Sequence, residues 1–262
     1  MNQLTLVPQG GLCNRLRAVL SAVSLVEEKN IEALIRVGWS ADAECAARFD
    51  QLFEPYPAAC LTIGQRHWLD RPVTRRNLHW PALLRSALYT AQYRNRPPAV
   101  SALTGKVYVS TGHAFCEYSP EYVRRLRPLP HLQQRIDTLS ADFDAHTIGI
   151  HIRRTDHSTA IAESPDALFV DAIEQCIASN PEVSFFLATD DSTLKARLAA
   201  QFPGRISVQE CRGTRADLCG MEEAVVDLWT LARTSRIIGS YWSSYTDTAA
   251  ELGGIPLEII RK

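Results

Sequence analysis

The chain has 262 residues, 46% of them hydrophobic and 22% charged, with a formal net charge of -1. This is the composition of an ordinary soluble globular protein, long enough for one large α/β domain or two compact ones. The near-neutral balance argues against a protein that coats nucleic acid, and there is no apolar run long enough to span a bilayer.

Taken in order, the periodicities alternate between strand and helix. Leu4 to Val7 is an apolar strand, and a glycine turn after it opens an amphipathic helix over 14–28, with Leu16, Val19, Leu20, Val23 and Val26 on one stripe. Ile31 to Val37 returns as a strand, so the first unit is βαβ with parallel pairing and a right-handed crossover. A short helix is predicted over 49–55, a strand over 106–110 and a helix over 120–126. The Pro128-Leu129-Pro130 punctuation marks a boundary, which divides the chain into 1–130 and 131–262. Beyond it, helices are expected over 131–143, 165–179, 192–201, 221–234 and 246–252. Strands are expected at 148–152, 184–188, 206–209, 237–239 and 256–260. The expected fold class is α/β, two Rossmann-like domains facing a cleft.

The densest chemical signal is Ile148-Gly149-Ile150-His151-Ile152-Arg153-Arg154-Thr155-Asp156. A period-two strand here sets Ile148, Ile150 and Ile152 on one face and His151 and Arg153 on the other, then runs into tandem guanidiniums. Ligands of open α/β sheets lie beyond the carboxyl ends of strands, and a guanidinium fork matches two phosphate oxygens. Arg153 and Arg154 are therefore expected to meet a phosphate; a solvated strand end with Asp156 neutralising one arginine is the plain alternative.

The pattern His-x-Arg-Arg-x-Asp resembles the signature of the GDP-fucose-dependent fucosyltransferase superfamily, the α-1,2, α-1,6 and protein O-fucosyltransferases. Pro8-Gln9-Gly10-Gly11-Leu12-Cys13-Asn14-Arg15-Leu16 resembles its glycine-rich first loop, although the α-1,2 enzymes usually show Gly-Asn-Gln where Cys13-Asn14-Arg15 stands. Phe185 to Asp191 resembles its second donor-site strand, and Asp227 to Leu231 through Ser240 to Tyr245 its last helix, strand and serine-rich loop. The resemblance implies a GT-B fold and metal-independent, inverting transfer from GDP-fucose to a glycan or other hydroxyl acceptor. It also implies a donor-binding second domain, an acceptor-side first domain, and no cofactor beyond the GDP-sugar. By resemblance Arg154 faces the β-phosphate and His151 helps hold the nucleotide. Asp156 would hold an arginine fork. Gly10, Gly11 and Asn14 could approach the diphosphate through main-chain amides, and Arg15 either adds a phosphate contact or changes the acceptor. Asp190 or Asp191 could read guanine or cap a helix, and Ser240, Ser243 and Ser244 could reach phosphate or simply form a turn.

No histidines or cysteines stand at ligand spacing and Asp190-Asp191 is not Asp-x-Asp, so no metal is expected. Seven cysteines without a Cys-x-x-Cys pair read as reduced thiols. Residues 1–9 lack the basic flank and apolar stretch of a signal peptide, so a cytoplasmic protein is expected. Asp42, Glu44, Asp50, Glu54 and Glu117 are all candidate bases, and spacing singles out none. Between 65 and 98, Arg66, Arg71, Arg75, Arg76, Arg85, Arg94 and Arg96 interleave with Trp68, Trp80, Tyr89 and Tyr93. That composition serves a solvated face, an acceptor platform, docking on an anionic surface, or a nucleic-acid groove, the last not expected from the charge balance. Another GDP-sugar such as GDP-mannose, or a catalytically inert GDP-binding module of the same fold, also fits the motifs.

Overall fold

The computed structural model describes residues 2–67, 70, 79–80, 106–155, 158–210 and 216–262. The chain divides into two compact units, Met1–Arg127 and Pro128–Lys262. Both are α/β with parallel sheets.

The first unit is built on β1 (Asn2–Pro8), α1 (Leu12–Glu28), β2 (Ala33–Gly38), β3 (Leu61–Gly64), β4 (His79–Trp80) and β5 (Lys106–Thr111), with α2 (Pro120–Arg124) after them. The sheet order is β3-β2-β1-β5-β4, parallel except for the antiparallel β4–β5 edge. Register pairs Leu4 with Ile35 and Val107, and Leu6 with Val37 and Val109. α1 begins two residues before its predicted start, because the glycine turn leads directly into helix at Leu12. It ends where Asn30 turns into the left-handed region at φ +49 and the Ile31 amide reaches back to the Val26 carbonyl at 3.0 Å. The predicted helix at 49–55 is a single 3₁₀ turn over Phe49–Gln51. β3 was not anticipated: its four residues alternate between half-buried and exposed and carry too little apolar pattern to stand out.

The second unit contains α3 (Pro130–Leu139), β6 (Thr147–Ile152), α4 (Ser158–Glu163), α5 (Asp166–Ser179), β7 (Ser184–Thr189), α6 (Ser192–Gln201), β8 (Ile206–Val208), α7 (Leu218–Leu231), β9 (Ile237–Ser240), α8 (Ser244–Gly253) and β10 (Leu257–Ile260). Its sheet is all parallel in the order β10-β9-β6-β7-β8. β6 lies in the centre with all six residues buried, so its alternation separates two covered faces and does not set an inside against an outside. Ile148, Ile150 and Ile152 join Phe169, Ile173, Phe185, Leu187, Leu194 and Leu198 in one core. Two glycines set how near the helices come. A Cβ on Gly149 would stand 2.8 Å from Thr234 Oγ1, and one on Gly239 only 2.2 Å from Thr246 Cγ2.

In each unit the first strand has neighbours reached in opposite directions, β2 and β5 around β1, and β7 and β9 around β6. The carboxyl ends of these pairs are the topological switch points at which α/β sheets bind ligands.

Candidate functional site

At the second switch point, Ser240 ends β9 with no exposed surface, and its hydroxyl accepts the Arg153 amide at 3.0 Å. Asp190, just past β7, holds the next two residues. One carboxylate oxygen accepts the Arg154 amide at 2.7 Å, and the other accepts the Thr155 amide at 3.2 Å and the Thr155 hydroxyl at 2.7 Å. The segment 153–155 is thereby clasped from β9 on one side and β7 on the other, with Arg153 half-buried at the crevice.

The two arginines part company here. The Arg154 side chain, 9% exposed, donates from Nε to Asp166 at 2.7 Å, from Nη1 to the Arg153 carbonyl at 2.8 Å, and from Nη2 to the Ser164 carbonyl at 2.9 Å. Its guanidinium carbon lies 5.7 Å from the Phe169 ring centre. The fork expected at a phosphate thus engages Asp166 at the start of α5 and the Ser164 and Arg153 carbonyls. Arg154 is held within the unit, and Arg153 is the half-buried member of the pair.

His151 is buried, its Nδ1 2.6 Å from Thr246 Oγ1 and its ring stacked at 4.7 Å on Tyr245. Tyr245 is itself anchored by donation from its hydroxyl to the Ala224 carbonyl at 2.6 Å. Ser243 caps α8, accepting the Thr246 amide at 3.4 Å, and Ser244 is the first residue of that helix. Asp191 caps α6 by accepting the Leu194 amide at 3.0 Å. Asp190 and Asp191 therefore divide into loop clasp and helix cap. Asp156 lies outside the described residues, as does most of the arginine and aromatic segment between 65 and 98.

At the first switch point, Gly10 adopts φ +78, and a Cβ there would meet Asn14 Nδ2 at 2.8 Å. Its amide donates to Glu44 Oε2 at 3.0 Å. Arg15 has no exposed surface and donates to the Gly10 carbonyl at 2.8 Å, the Ser40 carbonyl at 2.8 Å and Asp42 at 2.5 Å. Arg66 adds a 3.2 Å pair to the other Asp42 oxygen and a 3.1 Å bond to the Pro8 carbonyl. Burial works to raise the Asp42 pKa, but Arg15, the Glu44 amide and Arg66 together hold it below the ordinary carboxylate value. Arg15 therefore locks the loop from inside. Among the candidate bases, Asp42 is committed to arginines and Asp50 pairs with Arg48 at 3.0 Å. Glu54 and Glu117 are exposed, and Glu44 sits against the Gly10 amide.

Several site-forming residues escaped the sequence reading. Asp166, Ser164 and Thr246 act as partners, and nothing in their local spacing marks them; Tyr245 lies in the serine-rich motif, but no role was read for it there. Asp227 had a signal: with Glu223 it puts two carboxylates four residues apart on a helix whose other residues are mostly apolar and buried. Its carboxyl accepts Gln209 Nε2 at 3.0 Å, while Lys195 donates to the Gln209 carbonyl at 3.2 Å and Arg135 to Gln209 Oε1 at 2.9 Å. Burial pushes its pKa up to about 7 against the pull of Lys195, with Glu223 raising it further. Among the described residues, no three His, Cys, Asp or Glu side chains converge as metal ligands.

Neither a protein-family profile nor a curated protein sequence matches the chain. Solved structures do. NodZ α-1,6-fucosyltransferase soaked with GDP-fucose matches with a TM-score of 0.66 at 17% identity, over 96% of this chain and 92% of that chain. NodZ from Bradyrhizobium matches at 0.63 and 18% identity, over 95% and 92%. POFUT1 in complex with GDP matches at 0.62 and 12% identity, over 99% and 98%. The chain has a fucosyltransferase fold. In this fucosyltransferase fold the His-x-Arg-Arg motif occupies the end of β6 and the serine-rich loop the end of β9, adjacent strands of one sheet.

Proposed function

We propose that the protein is a glycosyltransferase of the GT-B plan that transfers fucose from GDP-fucose to a hydroxyl acceptor, with inversion and without a metal. The observation that carries this reading is the clasped 153–155 segment at the β6–β9 switch point, which brings the tandem arginines to the end of the sheet where α/β folds bind anions. Solved structures of the same fold hold GDP-fucose or GDP. In this reading 131–262 binds the donor and 1–130 serves the acceptor.

As the bond between the sugar C1 and the β-phosphate oxygen breaks, its electron pair and the growing negative charge pass to GDP. Arg153 offsets that charge in a preorganised seat, a contribution on the order of 10²–10³ in rate. Arg154 acts one step back, tying the segment to α5 through Asp166. His151 is held by Thr246 and Tyr245 in a fixed orientation that suits nucleotide binding. The acceptor hydroxyl forms the new bond to C1 from the opposite face and gives up its proton. No helix among the described residues is long and apolar enough to cross a membrane, and a cytoplasmic location is part of the proposal.

Calorimetric titration with GDP, UDP and ADP, together with GDP release from GDP-fucose over an acceptor panel with and without EDTA, tests the reading. GDP is expected to bind in preference to the other two, with turnover unchanged by chelator. Equal binding of all three nucleotides, or activity abolished by EDTA and restored by magnesium, would overturn it.

A further inference from the structure

We propose that Trp242 recognises the sugar of the donor, its indole seating the apolar 6-deoxy edge of a fucosyl ring; this deepens the reading above and rests on it. Trp242 is 67% exposed, more than any other large hydrophobic residue described. Its backbone is also in the wrong region for its type. With φ +57 it is one of two described non-glycine residues at positive φ, and the other, Asn30, belongs to a type that tolerates the region. A bulky side chain there is strained, and burial gives little in return.

The neighbours explain why the backbone cannot relax. Ser240 is fixed to the Arg153 amide at 3.0 Å, the Tyr241 amide donates to Ser164 Oγ at 2.9 Å, and Ser243 is committed to capping α8. Residue 242 has to bridge these points, and glycine would bridge them without strain. The indole meets Tyr241 in a T-shaped contact, ring centres 5.8 Å apart and planes at 86°, while Tyr241 lies 5.6 Å from the Arg261 guanidinium. The pair is thus propped in place with the indole still open to solvent.

Position supplies the ligand. Two residues span at most about 7 Å of chain, so Trp242 is rooted within the reach of one hexose from the Ser240–Arg153 seat proposed for the β-phosphate. A 6-deoxyhexose presents a methyl group and ring C–H bonds, which an indole face accommodates well. The 6-hydroxyl of mannose would give up part of its hydration against the same ring without the apolar contact that a methyl group gains. Arginine and glycine positions alone do not distinguish these two donors, whereas an exposed indole beside the phosphate does.

The test is calorimetry of the full chain with GDP, GDP-fucose and GDP-mannose, on wild type, Trp242→Phe and Trp242→Gly, with melting temperatures alongside. GDP affinity is expected to stay within about twofold across all three proteins. Trp242→Gly should lose about tenfold in GDP-fucose affinity and bind the two sugars alike, Trp242→Phe should keep most of the preference, and Trp242→Gly should melt higher as strain is relieved. Equal losses for GDP and GDP-fucose would mean that the indole stacks on the base and would overturn the proposal. A higher melting temperature with sugar preference intact would overturn it too. If wild type bound no GDP, the glycosyltransferase reading would fall and take this one with it.

Discussion

The two switch points are built alike and balanced differently. After β1, the charges described are answered by the segments that follow β2 and β3: Glu44 takes the Gly10 amide, and Asp42 faces both Arg15 and Arg66. After β6, the Asp190 carboxylate and the Ser240 hydroxyl are spent on main-chain amides, and the Arg154 guanidinium is turned inward onto Asp166. Glycines and guanidiniums at a strand end do not by themselves make an anion site. What differs between the two ends is where the carboxylates are spent, on guanidiniums after β1 and partly on main-chain amides after β6.

Exchanging the roles of the two arginines is the hardest test of that contrast. Arg153→Ala is expected to lower kcat/KM by a factor on the order of 10²–10³ with unfolding unchanged, and Arg153→Lys to fail as well because a point charge does not replace the fork. Near-native turnover in Arg153→Ala would end the comparison. Arg154→Ala should show the reverse emphasis, losing about 2–3 kcal/mol in urea denaturation as its carboxylate and carbonyl partners are orphaned. A fully stable but inactive Arg154→Ala would return the phosphate to Arg154.

The buried carboxyl on α7 sharpens the comparison on a pH axis. With Asp227 at about 7 when folded against 3.8 ordinarily, the folded state keeps a proton that the unfolded chain has released. The contribution is fully present below pH 3.8 and is lost as pH rises through 7. Asp227→Asn should flatten stability against pH over this window, as read by urea midpoints at successive pH values; an unchanged slope would place the titration elsewhere. The smallest effect belongs to Asp191→Ala, a loss of about 1 kcal/mol as the α6 cap goes, with GDP preferred over ADP as before. If that preference collapsed, Asp191 would be reading guanine and not capping.

Most of the alternation of strand and helix was legible because long elements carry their period openly. α6 falls at 192–201, as its capping signal predicts. β3 and the six-residue α4 were missed, since neither carries enough apolar pattern to register. Within the site, period two placed His151 and Arg153 on one face, whereas the phosphate role of Arg154 came from the family resemblance and not from any local pattern. What no local pattern could show is who answers whom. Asp166 reaches Arg154 from the next helix, and Thr246 reaches His151 from 95 residues on.

Gly239 touches no proposed ligand atom, yet it acts as a depth stop for the machinery beside it. With a Cβ 2.2 Å from Thr246 Cγ2, even alanine would lift α8 off the sheet and carry away both the hydroxyl that fixes His151 and the Ser243 turn. In a saturation library scored for activity, position 239 would therefore tolerate as little as the arginines do, and for mechanical reasons alone.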